Sequence, residues 1–199
     1  MPAARARSQH GPPGRAGAAP CEVRLIPAGD VHRLLDTVAE VAEGVFTRPP
    51  WSEPRTEARA VAARLATDAL RPGFLAVAAL HGDQVCGFAY AVPCSRLALL
   101  ASRLPRGDLT LKELAVLPAA RGWGLGAMLH DRLLAAAPPA SWWLLTHPRA
   151  GAALGLYRHR GWRVAACHPA PHGRSRLIML REACSPSRAA GERGHAGRV

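Results

Sequence analysis

Three glycines placed directly before an apolar helix pattern are the residues of this chain whose types and spacing most clearly predict chemistry. Gly122, Gly124 and Gly126 follow Arg121 and the apolar segment Leu109–Val116. Because glycine has no Cβ, successive backbone N–H groups can converge there on an anion, and the N-terminus of a helix already favours negative charge. The run therefore predicts a site for the diphosphate of a nucleotide-type cofactor.

The spacing of these glycines distinguishes between the known classes of nucleotide-binding motif. A dinucleotide fingerprint reads G-x-G-x-x-G directly after a strand, with an acidic residue about twenty positions further on. Here the glycines read G-x-G-x-G after a four-residue spacer, and the following strand pattern at 141–147 ends without a carboxylate. A Walker A loop needs Gly-Lys-Ser/Thr, whereas the single lysine of the chain is Lys112, inside the strand pattern. NAD, ATP and GTP are therefore disfavoured.

Two motifs in order resemble the GNAT superfamily of acyl-CoA N-acyltransferases. Its signature is Gln/Arg-x-x-Gly-x-Gly/Ala at the start of a helix, which Arg121, Gly124 and Gly126 match. Residues 153–162 resemble its second element, A-x-x-x-Y-x-x-x-G-F, with Tyr157 at the tyrosine. Ala150 departs from the pattern, because an Asn often stands seven positions before that tyrosine. The resemblance covers about residues 22–180.

The resemblance implies that acetyl-CoA binds at the first motif. Backbone N–H groups at the end of the motif strand would orient the pantetheine and the acyl oxygen, and the glycine run would hold the diphosphate. The residues that it implies in cofactor binding are Leu114, Ala115, Val116, Arg121, Gly122, Trp123, Gly124, Leu125 and Gly126. It also implies that the amine attacks the thioester directly, without a covalent enzyme intermediate, and no metal is expected.

Tyr157 is the general acid that the resemblance implies, beside the thioester sulfur. A phenol has an unperturbed pKa of about 10, so it is protonated at neutral pH and can supply the proton of the departing thiolate. The alternative interpretation is that Tyr157 only anchors its helix against the sheet.

Glu113 is the second candidate for a catalytic residue. Strand alternation predicts that it shares a face with Leu109, Leu111 and Ala115 in a central strand. Burial would raise the pKa of its carboxyl group and make it a better base. The alternatives are a structural salt bridge to an arginine, or a local bulge that turns Glu113 toward solvent.

The sequence also offers candidate residues for the pocket of the acceptor amine. Candidate walls are the loop at 48–53, with Trp51 and Glu53, together with Tyr90 and one of Trp142 or Trp143. Trp51 and Glu53 could receive an aromatic or cationic amine. The alternative is that these aromatic residues pack the core, so the identity of the amine is not readable.

Several polar residues near the motifs are interpreted as surface positions. His130, Asp131 and Arg132 are expected on the solvated outer face of the helix that follows the glycines. Arg158 and Arg160 could reach the 3′-phosphate of CoA, but a surface role is favoured because arginine is so common in this chain.

Apolar periodicity predicts elements in the order β-α-α-β-β-β-α-β-α-β-β. The first helix is predicted to be capped by Asp30 and to end at Gly44, and the last helix to end at Gly161. Residues 95–108 fit either a short helix or a packed loop. This order is that of GNAT folds, so the resemblance implies an α/β fold (α+β, with a mixed sheet) and helices on both faces.

The length and the cysteine pattern of the chain indicate how many domains it has and whether disulfides or zinc stabilise it. We expect one domain over residues 21–182, with disordered tails at 1–20 and 183–199 that are low in apolar residues. The five cysteines are odd in number and widely spaced, which indicates neither a disulfide framework nor a zinc site. We therefore expect a reducing, cytoplasmic location, and no apolar run reaches the length of a membrane span.

The formal net charge of +12 would ordinarily suggest a nucleic-acid partner. However, no basic run is interleaved with aromatic residues, and an anionic cofactor is sufficient reason for a positive cleft. We expect neither nucleic acid nor a membrane as a partner, and the oligomeric state, a homodimer included, is left open.

The sequence thus leads to two interpretations from different classes. The first is an enzyme, an N-acyltransferase that transfers an acetyl or short acyl group from acetyl-CoA to an amine of a small molecule or a peptide. The second is a CoA-binding module that has lost turnover and serves as a sensor, which Ala150 leaves open.

Overall fold

A mixed sheet with helices on both of its faces forms the described part of the chain, residues 21–169 and 175–183 of the computed structural model. The strands are β1 (Glu22–Leu25), β2 (Leu75–His81), β3 (Gln84–Pro93), β4 (Leu109–Val116), β5 (Trp142–Thr146), β6 (Arg163–His168) and β7 (Arg176–Arg181). The tails expected at 1–20 and 183–199 lie outside the described residues, except for residue 183.

The helices follow the predicted order, with one addition. They are α1 (Leu35–Phe46), α2 (Arg55–Ala69), α3 (Arg96–Leu100), α4 (Leu125–Ala135) and α5 (Gly151–His159), with 3₁₀ helices at Ala28–Leu34 and Pro118–Ala120. The short α3 settles the ambiguous segment at 95–108 as a helix followed by a loop. Across 21–169 and 175–183, none of the helices has both the length and the apolar character that crossing a membrane requires.

The seven strands lie in the order β1-β2-β3-β4-β5-β7-β6. Neighbouring strands are antiparallel except for β4 and β5, which are parallel. A parallel pair needs a crossover connection, and α4 supplies it. The predicted α/β fold with a mixed sheet is confirmed.

A β-bulge at Lys112 interrupts the side-chain alternation of β4. Glu113 is paired with Tyr90, but the next residue of β3, Ala91, is paired with Leu111, so Lys112 is the extra residue. A bulge of this kind reverses the faces of the residues on its two sides. The prediction that Glu113 shares a face with Leu109 and Leu111 is therefore wrong, because simple alternation does not hold across Lys112.

Three apolar clusters define the two faces of the sheet. The back cluster lies beneath α4 and α5 and includes Leu111, Leu129 and Trp162. On the front face, one cluster joins α1 and α2 to β2, β3 and β4, and it includes Ala115. A smaller front cluster joins α3 to β5 and β7 through Trp143. The gap between the two front clusters is where the cleft opens.

The observed helix ends match the ends predicted from the sequence only in part. Asp30 lies inside the 3₁₀ helix and makes no capping hydrogen bond, and α1 continues through Gly44 to Phe46. Those two predictions are wrong, because the first turns wind as a 3₁₀ helix and a single glycine is tolerated inside a well-packed helix. Gly161 does end α5, with a φ of 78° and the Trp162 N–H bonded to the Tyr157 carbonyl.

The substitution Leu129→Ala is expected to lower the free energy of unfolding by about 2–5 kcal/mol, because it leaves a cavity in the back cluster. The Leu129 side chain is 0% exposed. Leu104→Ala is the matched control at a position that is 80% exposed, where a change within about 0.5 kcal/mol is expected. Urea denaturation measures both, and equal losses would contradict the placement of Leu129.

Candidate active site

The sheet splits between β4 and β5. Their parallel register runs from Leu109 opposite Trp142 to Leu111 opposite Leu144 and ends there, whereas β5 continues along β7 as far as Thr146. Residues 112–116 therefore present a strand edge toward the gap. Backbone N–H and C=O groups on such an edge can bind an extended ligand in the way that they would bind a strand.

A cavity of about 400 Å³ opens at this split. Its walls come from the α1–α2 connection, α2, α3, β4, β5, α5 and the facing ends of β6 and β7. Glu113 and Tyr157, the two predicted catalytic residues, both line it, as does Leu114. The structure thus brings Glu113 and Tyr157 together, although they are far apart in the sequence.

The glycine run forms a tight turn at the N-terminus of α4. Gly122 has a φ of 84° and Gly124 a φ of 74°, a left-handed conformation that other residues adopt at a cost. Gly124 is the N-cap of α4 and no side chain caps this helix. The first N–H groups of α4 are therefore available to a ligand, as an anion site requires.

The side chains around this turn leave the backbone accessible. Arg121 and Trp123 are exposed, whereas Leu125 is buried in the back cluster and can contribute only its backbone to a ligand. Gly126 lies in the first turn of α4, beside Leu114 of β4. The turn and the open edge of β4 are therefore neighbours, which suits a long cofactor with a diphosphate at one end.

Glu113 is held at the base of the cleft, on the front face of the sheet. Its side chain is 21% exposed and its carboxylate lies 3.5 Å from the Arg64 guanidinium. Burial raises the pKa of Glu113 to about 7, with Arg64 opposing this shift and the negative charge of Glu53 adding to it. The bulge and the arginine contact, both foreseen as alternatives, occur together, and Glu113 is turned into the cleft.

Tyr157 reaches the same cleft from α5. It is 6% exposed, and its ring packs against those of His130 and Trp162 at centroid distances of 6.3 and 5.7 Å. Burial, and secondarily the negative charge of Glu113, raise the pKa of Tyr157 above its ordinary value. The phenol is therefore protonated at neutral pH and can donate a proton.

His130 is buried, which makes the prediction of a surface position wrong. It is 1% exposed, and the Trp162 Nε1–H donates to its Nε2 at 2.9 Å. The proton of the neutral imidazole is then on Nδ1, which donates to Asp131 at 2.8 Å. Burial lowers the pKa of His130, so it stays neutral. A buried tryptophan N–H needs an acceptor, and the histidine fills that role.

Asp131 and Arg132 are exposed, as the sequence predicts. Arg160 binds both carboxylate oxygens of Asp131, at 2.6 and 2.8 Å. This bidentate ion pair extends the chain of hydrogen bonds that runs from Trp162 through His130 to Asp131. Arg158 lies on the exposed side of α5.

The predicted acceptor residues separate into two groups. Trp51 and Glu53 line the cleft, and the Trp51 ring packs against Phe46 at 5.6 Å. The others belong to the core, which is the alternative that the sequence left open: Tyr90, Trp142 and Trp143. Trp143 in addition donates its Nε1–H to Asp108.

The basic residues of the cleft are not predicted from the sequence. They come from α2, α3, the bulge of β4 and β7: Arg64, Arg96, Lys112 and Arg176. Nothing local distinguishes them from the other arginines of the chain, because only the tertiary fold brings them together. Among residues 21–169 and 175–183, no group of His, Cys, Asp and Glu side chains is placed to hold a metal ion.

The fold and the split sheet define an acetyltransferase architecture. Residues 35–162 match the model of the acetyltransferase (GNAT) family. The chain therefore belongs to this family of enzymes, and acetyl-CoA is the family's acyl donor. A comparison with curated proteins finds no match.

Solved structures of low sequence identity share the fold. The ribosomal-protein-S18-alanine N-acetyltransferase of Escherichia coli is 17% identical, with a TM-score of 0.60 over 86% of this chain and 99% of that one. PaiA N-acetyltransferase of Thermoplasma acidophilum, in complex with coenzyme A, is 14% identical, with a TM-score of 0.57 over 82% and 99%. An aminoglycoside 6′-acetyltransferase of type Ii is 16% identical, with a TM-score of 0.59 over 81% and 96%.

The substitution Gly124→Ala is expected to cost about 1–2 kcal/mol of stability, because alanine is strained at a φ of 74°. It should also weaken the binding of acetyl-CoA, because relief of the strain rotates the N–H groups of the turn. Calorimetric titration with acetyl-CoA measures this loss.

Gly29→Ala is the matched control, since an added Cβ there meets no atom within 4 Å and no positive φ is required. It should leave the affinity unchanged and the stability equal or slightly higher. Unchanged affinity in Gly124→Ala would remove the turn from the cofactor site.

Proposed function

We propose that this protein transfers an acetyl or short acyl group from acetyl-CoA to the amine of a small molecule or peptide by direct attack. The observation that carries the proposal is that one cleft, at the split between β4 and β5, is lined by both a carboxyl group with a pKa of about 7 and a protonated phenol. The cytoplasmic location expected from the cysteine pattern is part of this proposal.

Binding of acetyl-CoA would use backbone groups. The edge of β4 at Leu114, Ala115 and Val116 would hold the pantetheine, and the turn at 121–126 would hold the diphosphate. Support comes from the end of the β4–β5 register at Leu111 and from the uncapped N-terminus of α4. Each charge-assisted hydrogen bond of this kind contributes about 1.5–3 kcal/mol.

Glu113 would act as the general base. An amine bound as an ammonium ion must lose a proton before it can attack the thioester carbon, and a carboxyl group with a pKa of about 7 is half ionised at neutral pH. We propose that the proton passes to Glu113, directly or through a water molecule. The nitrogen then forms its bond to the carbonyl carbon.

Tyr157 would act as the general acid. When the tetrahedral intermediate collapses, the carbon–sulfur bond breaks and the thiolate of CoA leaves. The Tyr157 hydroxyl would donate its proton to that sulfur. The nitrogen would lose its second proton through solvent to the Tyr157 phenolate, and Glu113 would release its proton to water. Support comes from the placement of Tyr157 in the cleft, with its ring fixed by His130 and Trp162.

The substitution Tyr157→Phe is expected to lower kcat by about 10²-fold, because the thiolate would leave without its proton donor. The ring contacts with His130 and Trp162 remain, so the melting temperature and the affinity for acetyl-CoA should stay close to those of the parent. Thiol release during turnover measures kcat. A parental rate would exclude Tyr157 as the acid.

The substitution Glu113→Gln is expected to lower kcat/KM by about 10²-fold at neutral pH, because a neutral amide cannot accept the proton. In the parent, kcat/KM should rise with pH until Glu113 is ionised at about pH 7, and this inflection should be absent from the variant. The deficit should shrink at high pH, where the amine is already neutral.

Glu53→Gln is the control for the electrostatics of this step. The negative charge of Glu53 raises the pKa of Glu113, so its removal should move the inflection to lower pH without abolishing it. The pH profiles of kcat/KM for all three proteins measure these effects. An unchanged profile in Glu113→Gln would remove Glu113 from the mechanism.

A further inference from the structure

The charges that line the cleft go beyond what the proposed acyl transfer needs. Four basic side chains face the cavity, one each from α2, α3, β4 and β7: Arg64, Arg96, Lys112 and Arg176. Two carboxylates face the same cavity, those of Glu53 and Glu113. With both carboxylates ionised, four positive and two negative groups leave a formal charge of +2 in the cleft.

The phosphates of CoA do not account for this surplus. The turn proposed to bind the diphosphate, residues 121–126, is not among the described residues that line the cavity. The part of the donor that would reach the cleft is the thioester, which carries no charge. The basic side chains are therefore placed to face the acceptor rather than the cofactor.

Charges of both signs lie around Glu113. The charges of Glu53 and Lys112 both affect the ionisation of Glu113, with Glu53 raising its pKa and Lys112 lowering it. Arg64 is paired with Glu113 at 3.5 Å, and the Arg176 guanidinium lies 5.8 Å from the centre of the Trp51 ring. Arg96 and Lys112 are exposed side chains of α3 and β4. An acceptor thus meets two carboxylates that lie among four cations, and the net charge around it is positive.

The electrostatic interactions in this cleft are expected to discriminate between acceptors by their charge. A reactive ammonium ion is attracted by Glu113 and Glu53, but a second ammonium ion on the same molecule would face Arg96 and Lys112 and be repelled. A carboxylate or phosphate at that position would be attracted by the same two residues. A polyamine is therefore a poor acceptor by charge alone.

We propose that the acceptor is an amine that also carries a carboxylate or phosphate group, with its amino group toward Glu113 and its anionic group toward Arg96 and Lys112. This inference rests on the proposed acyl transfer, since it names the substrate class of the same cleft. Arg96 and Lys112 are then residues that determine specificity, and they take no part in the transfer of the proton.

The direct test compares acceptors that share a four-carbon skeleton. We expect kcat/KM to be highest for 4-aminobutanoate, intermediate for butylamine and lowest for 1,4-diaminobutane, with about tenfold between the extremes at low salt. 3-Aminopropyl phosphate in the same assay distinguishes phosphate from carboxylate as the preferred anion. Equal or faster turnover of 1,4-diaminobutane would overturn the inference.

The substitution Arg96→Glu tests the residue assignment. It should raise KM for 4-aminobutanoate by about fivefold to tenfold, leave kcat nearly unchanged and lower the discrimination against 1,4-diaminobutane. Arg103→Glu is the matched control, because it changes the net charge by the same amount. Arg103 is exposed just beyond α3 and is not one of the residues lining the cleft. An equal effect of both variants, or no effect of Arg96→Glu, would overturn the assignment.

A binding experiment separates failure of this inference from failure of the proposed function. If none of these amines is acetylated, calorimetry with the protein saturated with CoA measures their affinities directly. Tighter binding of 4-aminobutanoate than of 1,4-diaminobutane would support the inference while counting against the proposed turnover. Equal affinities, or binding of neither amine, would overturn the inference.

Discussion

The β-bulge at Lys112 is the constraint on which the rest of the cleft depends. The extra residue turns Glu113 away from the face of Leu109 and Leu111 and onto the front of the sheet, opposite Tyr90. The register between β4 and β5 ends at Leu111, directly before the bulge. The same few residues of β4 therefore determine two features of the cleft, namely the strand edge that faces the gap and the position of the Glu113 carboxyl group.

The groups proposed for the chemistry come from elements that are fixed by packing. Tyr157 is held by ring contacts with His130 and Trp162, and the Trp162 N–H is satisfied by a histidine whose other nitrogen is bonded to Asp131. A side chain fixed in this way loses little freedom when a substrate binds. The same burial keeps the phenol protonated, so the scaffold sets both the position and the ionisation of Tyr157.

The features that depend on nearby residues could be predicted from the sequence, and those that depend on strand register could not. The turn before α4 was predictable because Gly122 and Gly124 have positive φ values that favour glycine at those positions. The face of Glu113 was not, because the bulge arises from pairing with β3. The burial of His130 was missed for a similar reason, since its partner Trp162 lies thirty-two positions away and is met only in the folded chain.

A titration of the ¹⁵N-labelled protein with CoA, followed by amide NMR, tests the central claim most directly. The pantetheine is proposed to lie along the opened edge of β4 and the diphosphate at the N-terminus of α4. The largest shifts are therefore expected at Leu114, Val116 and residues 122–126. Saturable binding that leaves those amides unmoved and shifts others, or no binding at millimolar CoA, would contradict this placement.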